Sequence, residues 1–329
     1  MNTTKINYKV TIHCPTFNHA HYIRQSLDGF VMQKTNFPFA AIVVDDASTD
    51  NEQEVLWDFI NNELDPSSLQ KDETEDYVRV IATHKTNHNC TFAFLFLKYN
   101  HYNIKKDKRI YLKPWEDKTK YIAICEGDDY WIDPLKLQKQ VDYLDNNTEY
   151  LLTFHRAMIF RCIPNETSLK CTNIEDRDYS ATEIFENWLI PTASVVFRKE
   201  AYDYMIKGAE RKLNGDIFLM ESCAHLGKVR GMSDFMSVYR VHAGGVTYDK
   251  SKYVQRRMKY PMHFECIEEN FPKIDRKIIS NRIAESYWER SHYQKSTKLK
   301  LKDKFSAIKR GGAKLMKRHI KLYLKSFLR

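Results

Sequence analysis

Residues 121–131 read YIAICEGDDYW, an apolar run followed at once by three carboxylates. The run predicts a strand buried on both faces, and Glu126, Asp128 and Asp129 emerge together at its end. Carboxylates in such a cluster repel one another, so folding alone does not favour them. A hard divalent cation, Mg²⁺ or Mn²⁺, would neutralise their charge and could carry a substrate phosphate. The alternative is a solvated turn whose acids cap the next helix, which suits Asp133 but not the whole cluster.

Two further apolar runs also end in polar loops. Residues 40–44, AAIVV, lead into DDASTD at 45–50, and residues 10–14, VTIHC, lead into PTFN at 15–18. Ordinary helix capping is the alternative for any one of these loops taken alone. Parallel strands deliver their carboxyl ends to one edge of a sheet, where α/β folds bind ligands. We therefore predict an α/β fold with a mostly parallel central sheet and a site at that edge.

The three loops resemble the successive motifs of the family 2 glycosyltransferases. The matching segments are PTFN at 15–18, VDDASTD at 44–50 and EGDDYW at 126–131, in the family's order and spacing. The later segment YRVHAGGV, at 239–246, resembles a motif of bacterial members that build surface polysaccharide. The resemblance runs over about residues 8–248 and implies the GT-A fold, with a Rossmann-like nucleotide-binding half and C-terminal helices.

The same resemblance suggests how the chain is divided. Residues 1–250 would form the glycosyltransferase domain, with a nucleotide-sugar half at 1–132 and an acceptor half at 133–250. Residues 251–294 are predicted to be a helical extension, and 295–329 a basic amphipathic tail.

The family's chemistry is inverting transfer of a sugar from a nucleotide-diphosphate donor, here with a UDP-sugar favoured. Such a displacement needs a cation on the pyrophosphate and a carboxylate that accepts the proton of the attacking hydroxyl. Asp128 is the first candidate for the metal ligand, and Asp129 for a second ligand or an orienting group. Glu126 is a candidate ribose or metal contact. Family members usually carry Asp at this position, and the longer side chain changes its reach.

The resemblance assigns the nucleotide to the loops after the first two strands. Asp45 or Asp46 would hold the base or ribose, and Pro15, Thr16 and Asn18 would wall the base pocket. A carboxylate supplies an acceptor for the ring N–H of uracil. The sequence leaves open which of the two acids makes this contact.

Two further donor contacts are implied later in the chain. Many family members have a segment of small residues with an asparagine after the third strand, where this chain offers Asn87 or Asn89 before bulky aromatic residues. Arg240 and His242 precede a glycine pair whose loop could close over the diphosphate, with His242 as metal ligand and Arg240 as charge partner. A buried histidine satisfied by backbone is the alternative for His242.

Asp216 is the candidate catalytic base. It lies where the family places an acidic pair before an apolar helix, and Gly215 replaces the first acid of that pair. The alternative is a simple helix N-cap. A helix N-terminus is expected to lower the pKa of Asp216 and so weaken it as a base.

The positive charge of the chain lies in its tail. Residues 295–329 hold 13 Lys and Arg and one acid, so the net charge of this segment exceeds the net charge of the whole chain, which is +9. Phe305, Ile308, Leu315 and other apolar residues recur there at three- and four-residue steps, which predicts an amphipathic helix with a break at the glycine pair 311–312. Such a helix suits an anionic membrane surface. Docking on the protein body and a nucleic-acid arm are the alternatives, and no base-reading motif supports the latter.

Cysteine usage and hydropathy suggest the compartment. The seven cysteines are scattered without a CxxC pair, which favours a reducing cytoplasm over a disulfide framework or a zinc site. The polar residues 1–9 do not resemble a signal peptide, and no apolar run approaches the ~18 residues that span a bilayer. We expect a cytoplasmic enzyme on the inner face of the plasma membrane, acting on a glycan or lipid-linked glycan.

Two other classes compete with this interpretation. A sugar-1-phosphate nucleotidylyltransferase would carry a Gly-rich, cationic loop after its first strand, and residues 15–18 contain neither glycine nor a cation. A catalytically inactive binding module on the same scaffold would be expected to lack acidic residues that the family uses for catalysis. Among the family's acids, only the positions of Gly215 and Glu126 depart from the pattern.

Overall fold

The computed structural model describes residues 8–188, 190–207, 215–245 and 253–326. These residues form two compact units, each assembled from separate segments of the chain, whereas the sequence interpretation placed contiguous boundaries. The sheet unit lies within Met1–Tyr179, Leu189–Ala201 and Gly227–His242, and the helical unit within Ser180–Trp188, Tyr202–Leu226 and Ala243–Arg329.

One sheet organises the sheet unit. Its strands, within the described residues, are β1 (Val10–Thr16), β2 (Phe39–Asp45), β3 (Gln70–Glu73), β4 (Tyr77–Thr83), β5 (Cys90–Leu97), β6 (Tyr121–Ile124), β7 (Tyr130–Trp131), β8 (Tyr150–Ile163), β9 (Glu166–Cys171), β10 (Val196–Arg198) and β11 (Lys228–His242). Their order is β3-β4-β5-β2-β1-β6-β10-β8-β11-β7, and β9 pairs with β8. The helices of this unit are α1 (Ile23–Val31), α2 (Glu52–Glu63), α3 (His101–Ile104), α4 (Arg109–Glu116) and α5 (Lys136–Asn146).

The centre of the sheet is parallel, as predicted. β5, β2, β1 and β6 pair in parallel, and every residue of β2 and β5 is buried. Strands covered on both faces need such continuous apolar runs. The α/β fold with a mostly parallel sheet and C-terminal helices is confirmed. β1, β2 and β6 therefore end at the same edge of the sheet.

Two local predictions were wrong. The acidic, proline-containing segment 61–76 predicts an exposed loop, but α2 runs into it and β3 pairs there antiparallel with β4. All residues of β3 are exposed, so no hydrophobic alternation marks the strand. The sequence predicts Asp133 as the helix cap and Pro134 as the first helical residue, but α5 begins at Lys136, and the Asp133 carboxylate accepts the N–H of Leu135 in a preceding turn.

The helical unit contains α6 (Ala181–Asn187), α8 (Gly215–Leu226), α9 (Tyr253–Asn270), α10 (Arg276–Tyr293) and α11 (Thr297–Ser326), and α7 (Lys199–Lys207) leads into it. The first turns of α11 pack on α10 through Ala307 and Asp303, both buried. Asp303 accepts two hydrogen bonds from Arg290, at 2.9 and 2.6 Å. The helix passes through Gly311 and Gly312 without the predicted break. None of the described helices has the length and hydrophobicity needed to cross a bilayer.

Candidate metal and nucleotide site at the strand ends

Side chains from three strand ends meet at the edge where β1 and β6 finish. His19 follows β1, Asp128 follows β6, and His242 is the last residue of β11. The Nε2 atom of His242 lies 3.0 Å from Oδ2 of Asp128, and Nε2 of His19 lies 3.7 Å from the same oxygen. One ligand atom from each residue lies within 4.8 Å of the other two. Two imidazoles and a carboxylate form a mixed nitrogen and oxygen set that fits a divalent cation.

The ionisation of this cluster suits metal binding. Burial lowers the pKa of His19 and so favours the neutral imidazole. Burial alone would raise the pKa of Asp128, but the hydrogen bond from His242 and the neighbouring imidazole of His19 outweigh it, and the pKa is lowered. Neutral imidazole and ionised carboxylate are the forms that coordinate a metal.

Glu52, at the start of α2, holds the loops around the cluster together. It is fully buried, and its Oε2 accepts the backbone N–H of His19 and the hydroxyl of Ser48, both at 2.8 Å. Its Oε1 accepts the hydroxyl of Thr16. Burial raises the pKa of Glu52 against the opposing effect of these donors. A single carboxylate thus fixes the loops after β1 and β2 relative to each other.

Asp129 faces β11 rather than the cluster. Its Oδ1 accepts the backbone N–H of Arg240 at 2.8 Å, and only 1% of the residue is exposed. Burial, with the charges of Glu126 and Asp128, raises the pKa of Asp129 well above its usual range. Asp129 therefore connects the loop after β6 to the strand that carries His242. This geometry is that of a group that orients the ligands rather than of a metal ligand.

Arg240 closes this side of the site. Its guanidinium donates to the backbone carbonyl of Asp128 at 2.5 Å and to the side-chain oxygen of Gln25. It also lies 4.2 Å from the ring centroid of Tyr130. The sequence prediction placed Arg240 and His242 on a flexible loop, but both are on β11, and Val246 of that motif lies outside the described residues.

Gly127 lets the loops after β1 and β6 approach closely. Its N–H donates to the carbonyl of Pro15 at 3.1 Å. A Cβ at this position would overlap the side chain of Thr16 and lie 3.0 Å from Ile23. The preceding residue, Glu126, is only partly exposed and contributes to the raised pKa of Asp129. The motif therefore needs glycine between its acids.

The loop after β2 satisfies its own acids. Asp45 accepts the N–H of Ser48 at 3.0 Å and the amide of Gln53 at 2.6 Å. Asp46, almost fully buried, accepts the N–H of His101 at 2.7 Å and the ammonium of Lys108 at 2.8 Å. Both carboxylates are thus held by protein groups, and Asp46 is held by the helical segment that follows β5.

Asn18 also braces this loop. Its side-chain oxygen accepts the N–H of Thr49 at 2.7 Å, and its own N–H donates to Ser48 at 2.9 Å. Asn18 and Ala47 have φ values of 59° and 60°, in the left-handed region. Backbone strain of this kind persists where surrounding contacts fix the conformation, often at ligand sites.

Asn87 lies elsewhere. It precedes β5, at the edge where the parallel strands begin, and its amide donates to the carbonyls of Val31 and Gln33 at 2.8 Å. β4 runs antiparallel to β5, so the turn between them points away from the ends of β1 and β6. The donor contact predicted for Asn87 does not agree with this placement.

Asp216 belongs to the helical unit, in the first turn of α8. Burial raises its pKa, although the N–H of Ile217 and the side chain of Trp188 act in the opposite direction. The lowered pKa expected at a helix start was therefore wrong, because loss of solvation outweighs the helix N-terminus.

Two residues of the site were missed from the sequence. His19 directly follows the PTFN motif, so its place at the end of β1 was the available signal. Glu52 carried no signal beyond its position at the start of a helix. The structure brings the following predicted residues together at the sheet edge: Pro15, Thr16, Asn18, Asp45, Asp46, Glu126, Asp128, Asp129, Arg240 and His242.

Comparisons with known proteins agree with this architecture. Residues 11–86 match the family model for glycosyl transferase family 2. Uncharacterized proteins of Mycobacterium bovis and Mycobacterium tuberculosis are 31% identical over 247 residues, which are 74% of this chain and 61% of each relative. The chain thus spans less than two thirds of the length of these relatives.

Solved structures resemble the chain over most of its length. Residues 1–349 of S. aureus TarS are similar with a TM-score of 0.54 at 13% identity, over 93% of this chain and 82% of TarS. The mannosyltransferase PcManGT of Pyrobaculum calidifontis, solved with GDP-Man and Mn²⁺, has a TM-score of 0.49 at 13% identity, over 98% of this chain and 81% of PcManGT. Residues 11–86 thus resemble glycosyltransferase family 2, and the fold of the chain is of the GT-A type.

Proposed function

We propose that the protein is a metal-dependent inverting glycosyltransferase that moves a sugar from a nucleotide-diphosphate donor, with a UDP-sugar favoured, to a hydroxyl of a glycan. The observation that supports this most is the cluster of His19, Asp128 and His242 at the carboxyl edge of the sheet. This is the edge at which α/β folds bind nucleotides.

The cluster would hold Mn²⁺ or Mg²⁺. When bound, the cation would neutralise the charge that develops on the leaving diphosphate. Arg240 lies next to this position and adds a fixed positive charge. Glu52 and Asp129 keep the ligands in place, since they anchor the loop of His19 and the strand of His242.

Asp216 is the proposed base. It would accept the proton of the acceptor hydroxyl as the new glycosidic bond forms and the bond to the diphosphate breaks. Its raised pKa makes it a stronger base than an ordinary aspartate, which supports this role over that of a simple helix cap.

We also propose that α11 binds an anionic membrane surface, which would bring the enzyme to a lipid-linked acceptor of surface polysaccharide. Leu301 and Phe305 are 63% and 69% exposed, while Asp303 and Ala307 on the opposite face are buried. Exposed lysines at 298, 300, 302, 304 and 309 surround the apolar side chains. The helix therefore docks on the protein through one face and leaves apolar groups and lysines for a bilayer.

Calorimetric titration with UDP, GDP and CDP, each with and without Mn²⁺, tests the enzymatic proposal. We expect one nucleotide to bind only with Mn²⁺ and to lose that binding in Asp128→Asn. Absence of binding to all three nucleotides would overturn the assignment. Metal-dependent binding without any sugar transfer would favour an inactive binding module.

Co-sedimentation with vesicles of phosphatidylglycerol and phosphatidylcholine tests the membrane proposal. The wild type should pellet with these vesicles, and the double variant Leu301→Glu, Phe305→Glu should not. Leu169→Glu, at another exposed apolar residue, is the control and should pellet like the wild type. Equal pelleting of all three proteins would contradict the proposal.

A further inference from the structure

The helical unit contains a cavity of about 330 Å³ between the end of α6 and the facing sides of α9 and α10. We propose that this cavity is the subsite for a neutral saccharide at the end of the acceptor, and this inference rests on the proposed function above. The side chains that carry the argument are Trp188, Arg257, Tyr260, Arg282, Glu285 and Glu289.

Trp188 connects the cavity to the proposed base. Its side chain lines the cavity and also lies close enough to the carboxylate of Asp216 to lower the pKa of that group. An acceptor hydroxyl must lie within hydrogen-bond reach of the base that takes its proton. A sugar held against Trp188 would therefore lie near the carboxylate of Asp216.

The backbone of Trp188 is strained in a way that fits a ligand contact. Its φ is 46° and its ψ is 49°, in the left-handed region that bulky side chains rarely adopt. The residue ends α6, a position usually taken by glycine. Its ring is nevertheless 41% exposed, so core packing does not account for a tryptophan there. Backbone strain of this kind clusters at ligand sites, and it fits a role of the Trp188 ring in contacting a saccharide.

The chemistry of the walls suits a sugar. Tyr260 and Phe264 stack with ring centroids 5.4 Å apart, and the guanidinium of Arg257 lies 5.3 Å from the centroid of Tyr260. Aromatic faces with a few placed polar groups are typical of small-ligand sites. Here the aromatic faces would contact the C–H face of a sugar ring.

The charges of the cavity favour a neutral ligand. Its acidic side chains are Glu186, Glu285 and Glu289, and its basic ones are Arg257 and Arg282. Arg257 pairs with Glu289, and Arg282 donates to the carbonyl of Glu186 at 3.2 Å. Acids outnumber bases, so a phosphate would meet repulsion, whereas hydroxyl groups can both donate to the carboxylates and accept from the guanidinium groups.

The volume limits the length of the ligand. Sites for small molecules have volumes of about 300–1,000 Å³, and this cavity lies at the lower end of that range. It is therefore large enough for the terminal one or two sugars of an acceptor, and the rest of the glycan would extend into solvent.

Saturation-transfer difference NMR on the full chain, with the methyl glycosides of glucose, galactose, mannose, rhamnose and N-acetylglucosamine, tests the proposal. The variants are Trp188→Gly, which keeps the left-handed backbone accessible, Tyr260→Ala and Arg282→Gln. Met262→Ala, at an exposed residue of α9 that does not line the cavity, is the matched control. Metal-dependent nucleotide binding and thermal unfolding are measured for each protein, and glucose 6-phosphate serves as the anionic probe.

We expect at least one neutral glycoside to bind the wild type and Met262→Ala equally, and to bind Trp188→Gly and Tyr260→Ala about tenfold more weakly. The proposal is overturned if no glycoside binds, if only the phosphorylated sugar binds, or if the cavity variants bind like the wild type. Failure of nucleotide binding in the wild type would instead overturn the proposed function. Saccharide binding in that case would make the cavity a sugar site without a transfer role.

Discussion

The strand-end cluster of the sheet unit and the cavity of the helical unit are built in different ways. At the strand ends, the groups that position the ligands are buried and hydrogen-bonded, as Asp129 and Glu52 show with exposures of 1% and 0%. In the cavity, the defining aromatic residue is 41% exposed. The first region is organised before any ligand arrives, and the second presents its groups to solvent.

This difference fits the two chemical tasks that we propose for the two regions. Stabilising a diphosphate requires charges fixed in advance, because their reorganisation would cost energy during the reaction. Binding a neutral acceptor requires shape and hydroxyl partners, which exposed helical side chains can supply. One region would thus define the donor chemistry and the other the choice of acceptor.

The largest expected effects come from removing the carboxylates at 128 and 216, and these two changes should distinguish the functions of the two regions. Asp216→Asn should lower the rate of transfer by about 10²–10⁴-fold, since a general base contributes that much, and leave metal-dependent nucleotide binding within about twofold. Asp128→Asn should abolish both. Initial rates and calorimetry measure the two quantities, with Asp142→Asn, at an exposed residue of α5, as the control. Loss of nucleotide binding in Asp216→Asn would remove the distinction between the regions.

Acidification should affect transfer before nucleotide binding. Asp216 acts as a base only when ionised and has a raised pKa, so transfer should fall about tenfold per pH unit below that pKa. Asp128 has a lowered pKa and stays ionised in more acidic solution, and the lowered pKa of His19 keeps its imidazole neutral. Parallel pH profiles of transfer and of Mn²⁺-dependent nucleotide binding test this. Coincident profiles would contradict the assignment of Asp216.

Glu52→Gln should weaken the metal site without removing a ligand. The change removes a charge and one of the acceptor oxygens that fix Thr16, His19 and Ser48, so Mn²⁺ affinity should fall about tenfold, as for other residues that orient metal ligands. Glu54→Gln, at an exposed residue of the same helical turn, provides the control. Equal Mn²⁺ affinities in the two variants would show that the loop after β1 is fixed by other contacts.

Asp303→Asn should affect only the helical unit. It leaves the guanidinium of Arg290 without its carboxylate, which should cost about 1–3 kcal/mol of unfolding free energy. Thermal unfolding should show the loss, while Mn²⁺-dependent nucleotide binding is retained, and Lys304→Gln should change neither. A loss of nucleotide binding in Asp303→Asn would mean that the two regions are not independent.

The sequence predicted the sheet edge well because three apolar runs end in polar loops, two of which contain clustered acids. His242 and Asp128 were assigned to the metal from their motifs, and the structure places them in contact. The location of Asn87 at the other edge was not predicted, because an apolar run such as β4 has the same pattern in either strand direction. The engagement of Asp46 by Lys108 was not predictable, since it depends on how the segment after β5 folds back.

The cavity could not have been predicted from any local pattern. Its residues come from three helices separated by up to about a hundred positions, and each alone is an ordinary surface residue. Trp188 carries no motif, and its left-handed backbone is visible only in the folded chain. The raised pKa of Asp216 likewise depends on burial, which its position at a helix start does not reveal.

The most direct test of the metal site is pulsed electron paramagnetic resonance on the protein with Mn²⁺ and the nucleotide that binds. Histidine nitrogens coordinated to Mn²⁺ modulate the electron spin echo. We predict nitrogen modulation in the wild type that decreases in His19→Gln and in His242→Gln. Mn²⁺ bound with no nitrogen modulation, or with modulation unchanged in both variants, would contradict the site formed by His19, Asp128 and His242.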